Sequence, residues 1–166
     1  MKSHGKIFEK EFKLSVEEQL KNFKIERIHD GVTWSGGSMI GAETPADFYA
    51  LYKVKRTLHF IYIECKATSS GRLAFSALQD HQYRSLEDMN RFHKNAGAWV
   101  AINFYDPNNI RNLNTCFMVD INTWAEYAAG DKKSINMQEC VDDERIIQCP
   151  RMRGSRFDMS TFSRVV

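Results

Sequence analysis

The sequence predicts an α/β domain in which helices cover a mixed β-sheet. Three observations lead to this prediction. An amphipathic helical pattern opens the chain, a hairpin of two apolar strands follows it, and a second helical pattern precedes two further runs of branched and aromatic residues. Helices that alternate with apolar strands pack on the faces of one sheet. Because the 166 residues contain no linker, we expect a single domain over residues 1–166.

The first half of the chain predicts one helix, one loop and one hairpin. A helix should begin near Gly5, since four apolar side chains recur on one face: Phe8, Phe12, Val16 and Phe23. Residues 33–41 contain three glycines and predict a flexible loop. Residues 48–54 and 58–63 alternate as strands do, with the charged residues Lys55 and Arg56 at the turn between them. They predict a hairpin.

The second half predicts a helix, two central strands and a short helix. Residues 78–94 have a helical period and precede Gly97, which we interpret as the helix end. Residues 98–105 and 116–121 are apolar runs separated by turn-forming residues, and they predict strands buried on both faces. Residues 123–129 predict a further short helix.

Composition excludes several classes of protein. With 43% hydrophobic and 27% charged residues, the chain is neither disordered nor of low complexity. Its longest uncharged apolar run, residues 96–105, is far shorter than the roughly 20 residues of a membrane span. The amino-terminal residues lack an apolar signal core, and the four cysteines form no CxxC pair. We therefore expect a cytoplasmic, intracellular protein with reduced, buried thiols, no zinc site and no membrane partner.

Basic charge is concentrated at the carboxyl end. The net charge is only +2, but residues 145–166 hold five arginines against one aspartate. Arginine pairs with phosphate oxygens two at a time, so this segment could contact a nucleic-acid backbone. The alternative is a solvated terminal tail.

The most informative motif lies at the end of the second predicted strand. Glu64 and Lys66 are two apart and therefore point to the same face of the strand. Buried charges of this kind form either a mutually satisfied ion pair or a functional site. Asp47 precedes Glu64 by 17 positions, and the hairpin would return it beside Glu64. Two carboxylates can hold a hard divalent cation, with the ammonium near water or phosphate.

These residues resemble the PD-(D/E)xK nuclease motif, with residues 45–47 (PAD) followed by 64–66 (ECK). Other segments are similar to RecU-type Holliday junction resolvases, in particular to a short, phage-like or bacterial form. These are residues 5–9 (GKIFE), 62–68 (YIECKAT), 75–78 (FSAL) and 80–82 (DHQ). The resemblance implies a restriction-endonuclease-like fold and a hydrolase that cuts DNA.

The resemblance also implies a role for each matching residue. Asp47, Glu64 and the backbone carbonyl of Cys65 would bind Mg²⁺, with Mn²⁺ as a substitute. Lys66 would orient the attacking water or stabilise phosphoryl charge. Glu9 would complete the acidic cluster, and Gln82 would lie over the site.

Two of these roles have structural alternatives, and the remaining candidates are DNA contacts. Glu9 could instead pair with Lys13 one turn along the helix. Gln82 could be a satisfied core amide. Five residues are candidate DNA contacts: Thr68, Arg72, Arg151, Arg153 and Arg156.

We therefore predict a Mg²⁺-dependent endonuclease that resolves four-way DNA junctions. Symmetric cleavage requires two active sites, which implies a twofold homodimer. Glu9 and Asp47 are only 38 positions apart, so the stalk of stalk-bearing family members is shortened or replaced here. The alternatives are a nuclease acting on linear duplex, flap or other branched DNA, a non-catalytic DNA-binding module, and a domain with a structural ion pair and no DNA role.

Overall fold

The structure is a computed structural model that describes residues 3–29, 32–35, 38–41, 43–106 and 115–166. Its helices are α1 (His4–Gln19), α2 (Asp80–Phe92), α3 (Ile121–Ala129), α4 (Met137–Asp142) and α5 (Phe162–Val165), with a 3₁₀ turn at Phe75–Ala77. The longer strands are β1 (Phe23–Arg27), β4 (Phe48–Val54), β5 (Thr57–Thr68), β7 (Ala96–Phe104) and β8 (Thr115–Asp120). The shorter strands are β2 (Val32–Ser35), β3 (Ser38–Gly41), β6 (Arg72–Ala74), β9 (Ser134–Asn136), β10 (Ile147–Cys149), β11 (Arg151–Met152) and β12 (Arg156–Phe157).

Six strands form one mixed sheet in the order β1-β4-β5-β7-β8-β10. The predicted hairpin is β4–β5, and its pairing runs from Phe48 opposite Ile63 to Val54 opposite Thr57. Strands β5 and β7 are parallel, and helix α2 lies in the connection between them. The predicted fold class, an α/β protein with a mixed sheet flanked by helices, is confirmed.

Hydrophobic side chains are buried on both faces of this sheet. On one face, Ile61, Ile63 and Cys65 of β5 pack with the apolar face of α1. On the other face, Val100 and Ile102 of β7 pack with residues of α2 and α3. Because side chains alternate along β5, Glu64 and Lys66 lie on the α2 face.

That the whole chain forms one domain stays a prediction.

Two predicted boundaries are wrong. The first helix ends at Gln19, and Phe23 opens strand β1, where its ring stacks on Tyr52 at 4.6 Å. Helix α2 ends at Phe92, and Gly97 lies inside β7. A Cβ on Gly97 would sit 3.3 Å from Cγ2 of Ile61, so this glycine permits close packing against the neighbouring strand.

The prediction of a flexible loop over residues 33–41 is also wrong where the structure describes it. Strands β2 and β3 pair antiparallel, from Val32 opposite Gly41 to Ser35 opposite Ser38. Gly36 and Gly37 lie outside the described residues. The glycines suggested a loop, but the residues on both sides of them have the strand-forming composition of a hairpin.

The carboxyl-terminal segment is folded, so the solvated-tail alternative is wrong. Phe157, Met159 and Phe162 are fully buried in the core beneath α1. The side chain of Gln19 on α1 also donates to the carbonyl of Phe157 at 2.6 Å. The four cysteines are free and buried, as predicted. Within the described ranges, no helix has the length and apolar character needed to cross a membrane.

Candidate active site

Asp47 and Glu64 lie side by side because of the β4–β5 register. Phe48 pairs with Ile63. Asp47, which precedes Phe48, therefore lies next to Glu64, which follows Ile63. The Asp47 amide donates to Oε2 of Glu64 at 3.1 Å, and the Cys65 amide donates to Oδ2 of Asp47 at 2.8 Å. The structure therefore brings these two carboxylates together, as the hairpin predicts.

Lys66 and Gln82 meet the other oxygen of Glu64. Nζ of Lys66 lies 2.8 Å from Oε1 of Glu64 and donates to Oε1 of Gln82 at 3.0 Å. Nε2 of Gln82 donates to Oε1 of Glu64 at 2.7 Å. The three side chains thus form a closed triangle of polar contacts.

The start of helix α2 fixes the position of Gln82. Gln79 is the N-cap residue. Oε1 of Gln82, three residues later, accepts a hydrogen bond from the backbone amide of Gln79 at 3.2 Å, as in a capping box. Gln82 is partly exposed rather than a core amide. Its amide group therefore joins the helix start to the Glu64–Lys66 pair.

The Glu64 carboxylate is nearly inaccessible to solvent, with a relative exposure of 2%. Burial raises its pKa from the usual 4.5 to about 7, and the negative charge of Asp47 contributes to the rise. The ammonium of Lys66 acts in the opposite direction. A cation bound between the carboxylates of Asp47 and Glu64 would favour the ionised form of both.

The donor set fits a hard divalent cation. Asp47, Glu64 and the Cys65 carbonyl supply oxygen atoms, which Mg²⁺ and Mn²⁺ prefer. Glu64 accepts three contacts, from Asp47, Lys66 and Gln82, and a carboxylate has about four acceptor positions. No group of three His, Cys, Asp or Glu side chains in the described part of the chain is placed to hold a metal. Water would complete the coordination.

Glu9 lies on α1, and its Oε2 pairs with Nη2 of Arg27 at 2.7 Å. The alternative of a Glu9–Lys13 pair is wrong, because Lys13 pairs with Glu17. The negative charge of Glu9 contributes, after larger effects of burial and Asp47, to the raised pKa of the Cys65 thiol. Glu9 is therefore within electrostatic range of the strand that carries Glu64, and its role in catalysis stays a prediction.

Thr68 and Arg72 lie beyond Lys66, at the end of β5. The Thr68 hydroxyl donates to the Arg72 carbonyl at 3.0 Å and accepts the Ser70 amide at 3.3 Å. Thr68 thus shapes the turn into β6, where Arg72 is exposed. Contact of either residue with DNA stays a prediction.

Two of the terminal arginines pair with helix α1. Arg151 binds Glu11 through two hydrogen bonds, at 2.9 and 3.2 Å, and Arg156 binds Glu18 in the same way, at 2.8 and 2.7 Å. Arg153 is exposed. A phosphate contact by Arg151 or Arg156 would have to share the guanidinium with a carboxylate. The DNA role of the three arginines stays a prediction.

The Arg151–Glu11 pair is expected to stabilise the fold. Both side chains are mostly buried, at 15% and 17% exposure, so Arg151→Met leaves Glu11 without its close cation. We expect the free energy of unfolding to fall by about 2 kcal/mol in urea denaturation. Arg153→Met is the matched control and should leave stability unchanged. Equal stability of the two variants would contradict this structural role.

The comparison with solved structures gives a likeness of fold, whereas the two comparisons of sequence give none. No family model matches the sequence, and no curated protein matches it. Among solved structures, the chain is similar to that of Archaeoglobus fulgidus Hjc, a Holliday junction resolvase from an archaeal hyperthermophile, with a TM-score of 0.47 and 20% sequence identity. The match covers 81% of this chain and 90% of that one. A likeness at this level assigns no activity and no residue role.

Proposed function

We propose that the chain is a Mg²⁺-dependent endodeoxyribonuclease that resolves four-way (Holliday) junctions, as RecU-type resolvases do. One observation carries the proposal. Asp47 adjoins the buried carboxylate of Glu64, while Lys66 and Gln82 contact the opposite oxygen of Glu64. Two carboxylates and one ammonium lie together here, and these are the groups that phosphodiester hydrolysis with a divalent cation uses.

A purely structural ion pair accounts less well for this arrangement. Glu64 and Lys66 alone would satisfy each other's charge. Asp47 adds a second negative charge that opposes ionisation of Glu64. A divalent cation between the two carboxylates would remove this repulsion, so the geometry favours a metal site over a structural pair.

The residues of the site then have separate roles. Asp47, Glu64 and the Cys65 carbonyl would hold Mg²⁺, which would supply Lewis-acid stabilisation of phosphoryl oxygens and activation of water. Lys66 donates a hydrogen bond to the attacking water or to a phosphoryl oxygen. Gln82 holds the ammonium of Lys66 in place through its amide oxygen.

The proposed substrate, a four-way junction, must be cut on two strands. Resolution of a four-way junction requires two active sites related by a twofold axis, so the active form is a homodimer. Selectivity would come from DNA shape, read by contacts to phosphates rather than to bases. Thr68, Arg72 and the terminal arginines are the proposed contacts.

Cleavage of labelled DNA tests this function. We expect the purified protein to cut a four-way junction with Mg²⁺ or Mn²⁺ but not with EDTA, and to be a dimer in light scattering at micromolar concentration. Equal cleavage of linear or flap DNA would indicate a less selective nuclease. Salt-dependent binding without cleavage would indicate a binding module, and absence of binding would indicate a structural ion pair. A strict monomer in the presence of junction would contradict resolution.

A further inference from the structure

A basic groove of about 910 Å³ runs along helix α1. Five basic side chains line it: Lys6, Lys10, Lys13, Arg27 and Arg156. Its acidic lining residues are Glu9 and Glu11. Both have an arginine partner within the protein, Arg27 for Glu9 and Arg151 for Glu11. The groove therefore presents a net positive surface.

Lys6, in the first turn of α1, is poorly placed for the helix itself. Lys6, Lys10 and Lys13 are spaced i, i+4 and i+7, which puts them along one side of α1. The first turn of α1 contains Lys6 and no acidic residue, although the positive end of a helix dipole favours acidic side chains. Helix stability thus gives no reason for Lys6 in the first turn, whereas a polyanionic partner does.

Two of these lysines are open to solvent. Lys6 and Lys10 are exposed, and no carboxylate forms an ion pair with either within the described residues. Lys13 already pairs with Glu17, and Arg156 with Glu18. From Lys6 to Lys13 the helix rises about 10 Å, which corresponds to about three nucleotides of B-form DNA.

The groove ends at the start of β4, next to Asp47. Arg27 pairs in register with Phe48, and both side chains line the groove. The Ile28 amide donates to the carbonyl of Asp47 at 2.8 Å. The groove therefore ends next to Asp47, on the α1 side of the sheet, whereas Glu64 and Lys66 lie on the α2 side.

We propose that this groove binds the phosphodiester backbone of a duplex arm that extends from the active site, through Lys6, Lys10 and Arg27. The inference rests on the proposed function, because it identifies where the substrate of that site lies. A guanidinium has five N–H donors, so Arg27 can bind Glu9 and a phosphate at the same time. An acidic peptide is the competing partner, and the experiment below distinguishes it from DNA.

The test compares two pairs of lysines. The first variant, Lys6→Gln with Lys10→Gln, removes two charges from the groove. The matched control, Lys53→Gln with Lys94→Gln, removes two charges from exposed positions near the opposite end of β5 and α2. Junction affinity is measured by fluorescence anisotropy in Ca²⁺ from 50 to 200 mM KCl, after thermal melts have shown that both variants fold.

We expect the groove variant to lower the slope of log affinity against log salt by about two, one for each lost phosphate contact, and the control to leave it unchanged. An unchanged slope, or the same loss in the control, would overturn the proposal. Binding of poly-glutamate that depends on the two groove lysines, with DNA binding unaffected, would also overturn it. If no DNA is cleaved but the slope falls as expected, the groove stands and the proposed activity fails. If cleavage is normal and the slope is unchanged, only the groove fails.

Discussion

Asp47→Asn is expected to abolish cleavage of four-way DNA while binding of the junction survives or tightens. The substitution removes one of two carboxylate ligands, so Mg²⁺ should no longer be held at working concentration. It also removes a negative charge that repels DNA phosphates. The amide oxygen of asparagine can still accept the hydrogen bond from the Cys65 amide, which now spans 2.8 Å, so the strand end should keep its shape.

Two measurements test this prediction together: the single-turnover rate of cleavage and the affinity for the junction in Ca²⁺. Asp88→Asn, at an exposed position of α2, makes the same change of charge and should cleave at the unmodified rate. If Asp47→Asn also cleaves at that rate, the site assignment fails. If binding and folding are lost together, Asp47 has a structural role in the Glu64–Lys66 ion pair.

The core of the candidate site could be predicted because it depends on short-range strand geometry. Side chains two apart on a strand share a face, which places Glu64 and Lys66 together. A hairpin places residues at matched distances from its turn opposite each other, which brings Asp47 to Glu64. The position of Gln82 was predicted from its helical spacing and from the resemblance of residues 80–82 to the nuclease family. The capping box at the start of α2 explains how the side chain is held there.

Contacts across long stretches of sequence could not be predicted. The partners of Arg151 and Arg156 lie 140 and 138 positions away, and local charge alone cannot distinguish an arginine that binds α1 from one that binds DNA. Strand β1 was missed because Phe23 happens to continue the apolar spacing of α1, although it packs on Tyr52 of β4. In each case tertiary packing decided the outcome.

The Arg27–Glu9 pair was missed for the same reason, and it changes how the site is understood. Glu9 was predicted either to join the acidic cluster or to pair along its own helix. The structure pairs it with an arginine at the end of β1, at the edge of the groove along α1, and its place in the acidic cluster stays a prediction. Glu9 therefore has an arginine partner on β1, whereas Glu64 has Lys66 as its close cation.

Lys66→Ala should separate catalysis from metal binding, because Lys66 is a donor and not a ligand. The variant keeps both carboxylates, so Mn²⁺ should still bind, as measured by calorimetry. Cleavage should slow by on the order of a hundredfold or more, the effect of removing one donor that stabilises the transition state. Lys66→Arg, which keeps the charge but changes its geometry, is the matched control and should retain more activity than Lys66→Ala. An unmodified rate in Lys66→Ala would remove Lys66 from the mechanism. Loss of Mn²⁺ binding together with unfolding would mean that its contact with Glu64 at 2.8 Å serves the fold.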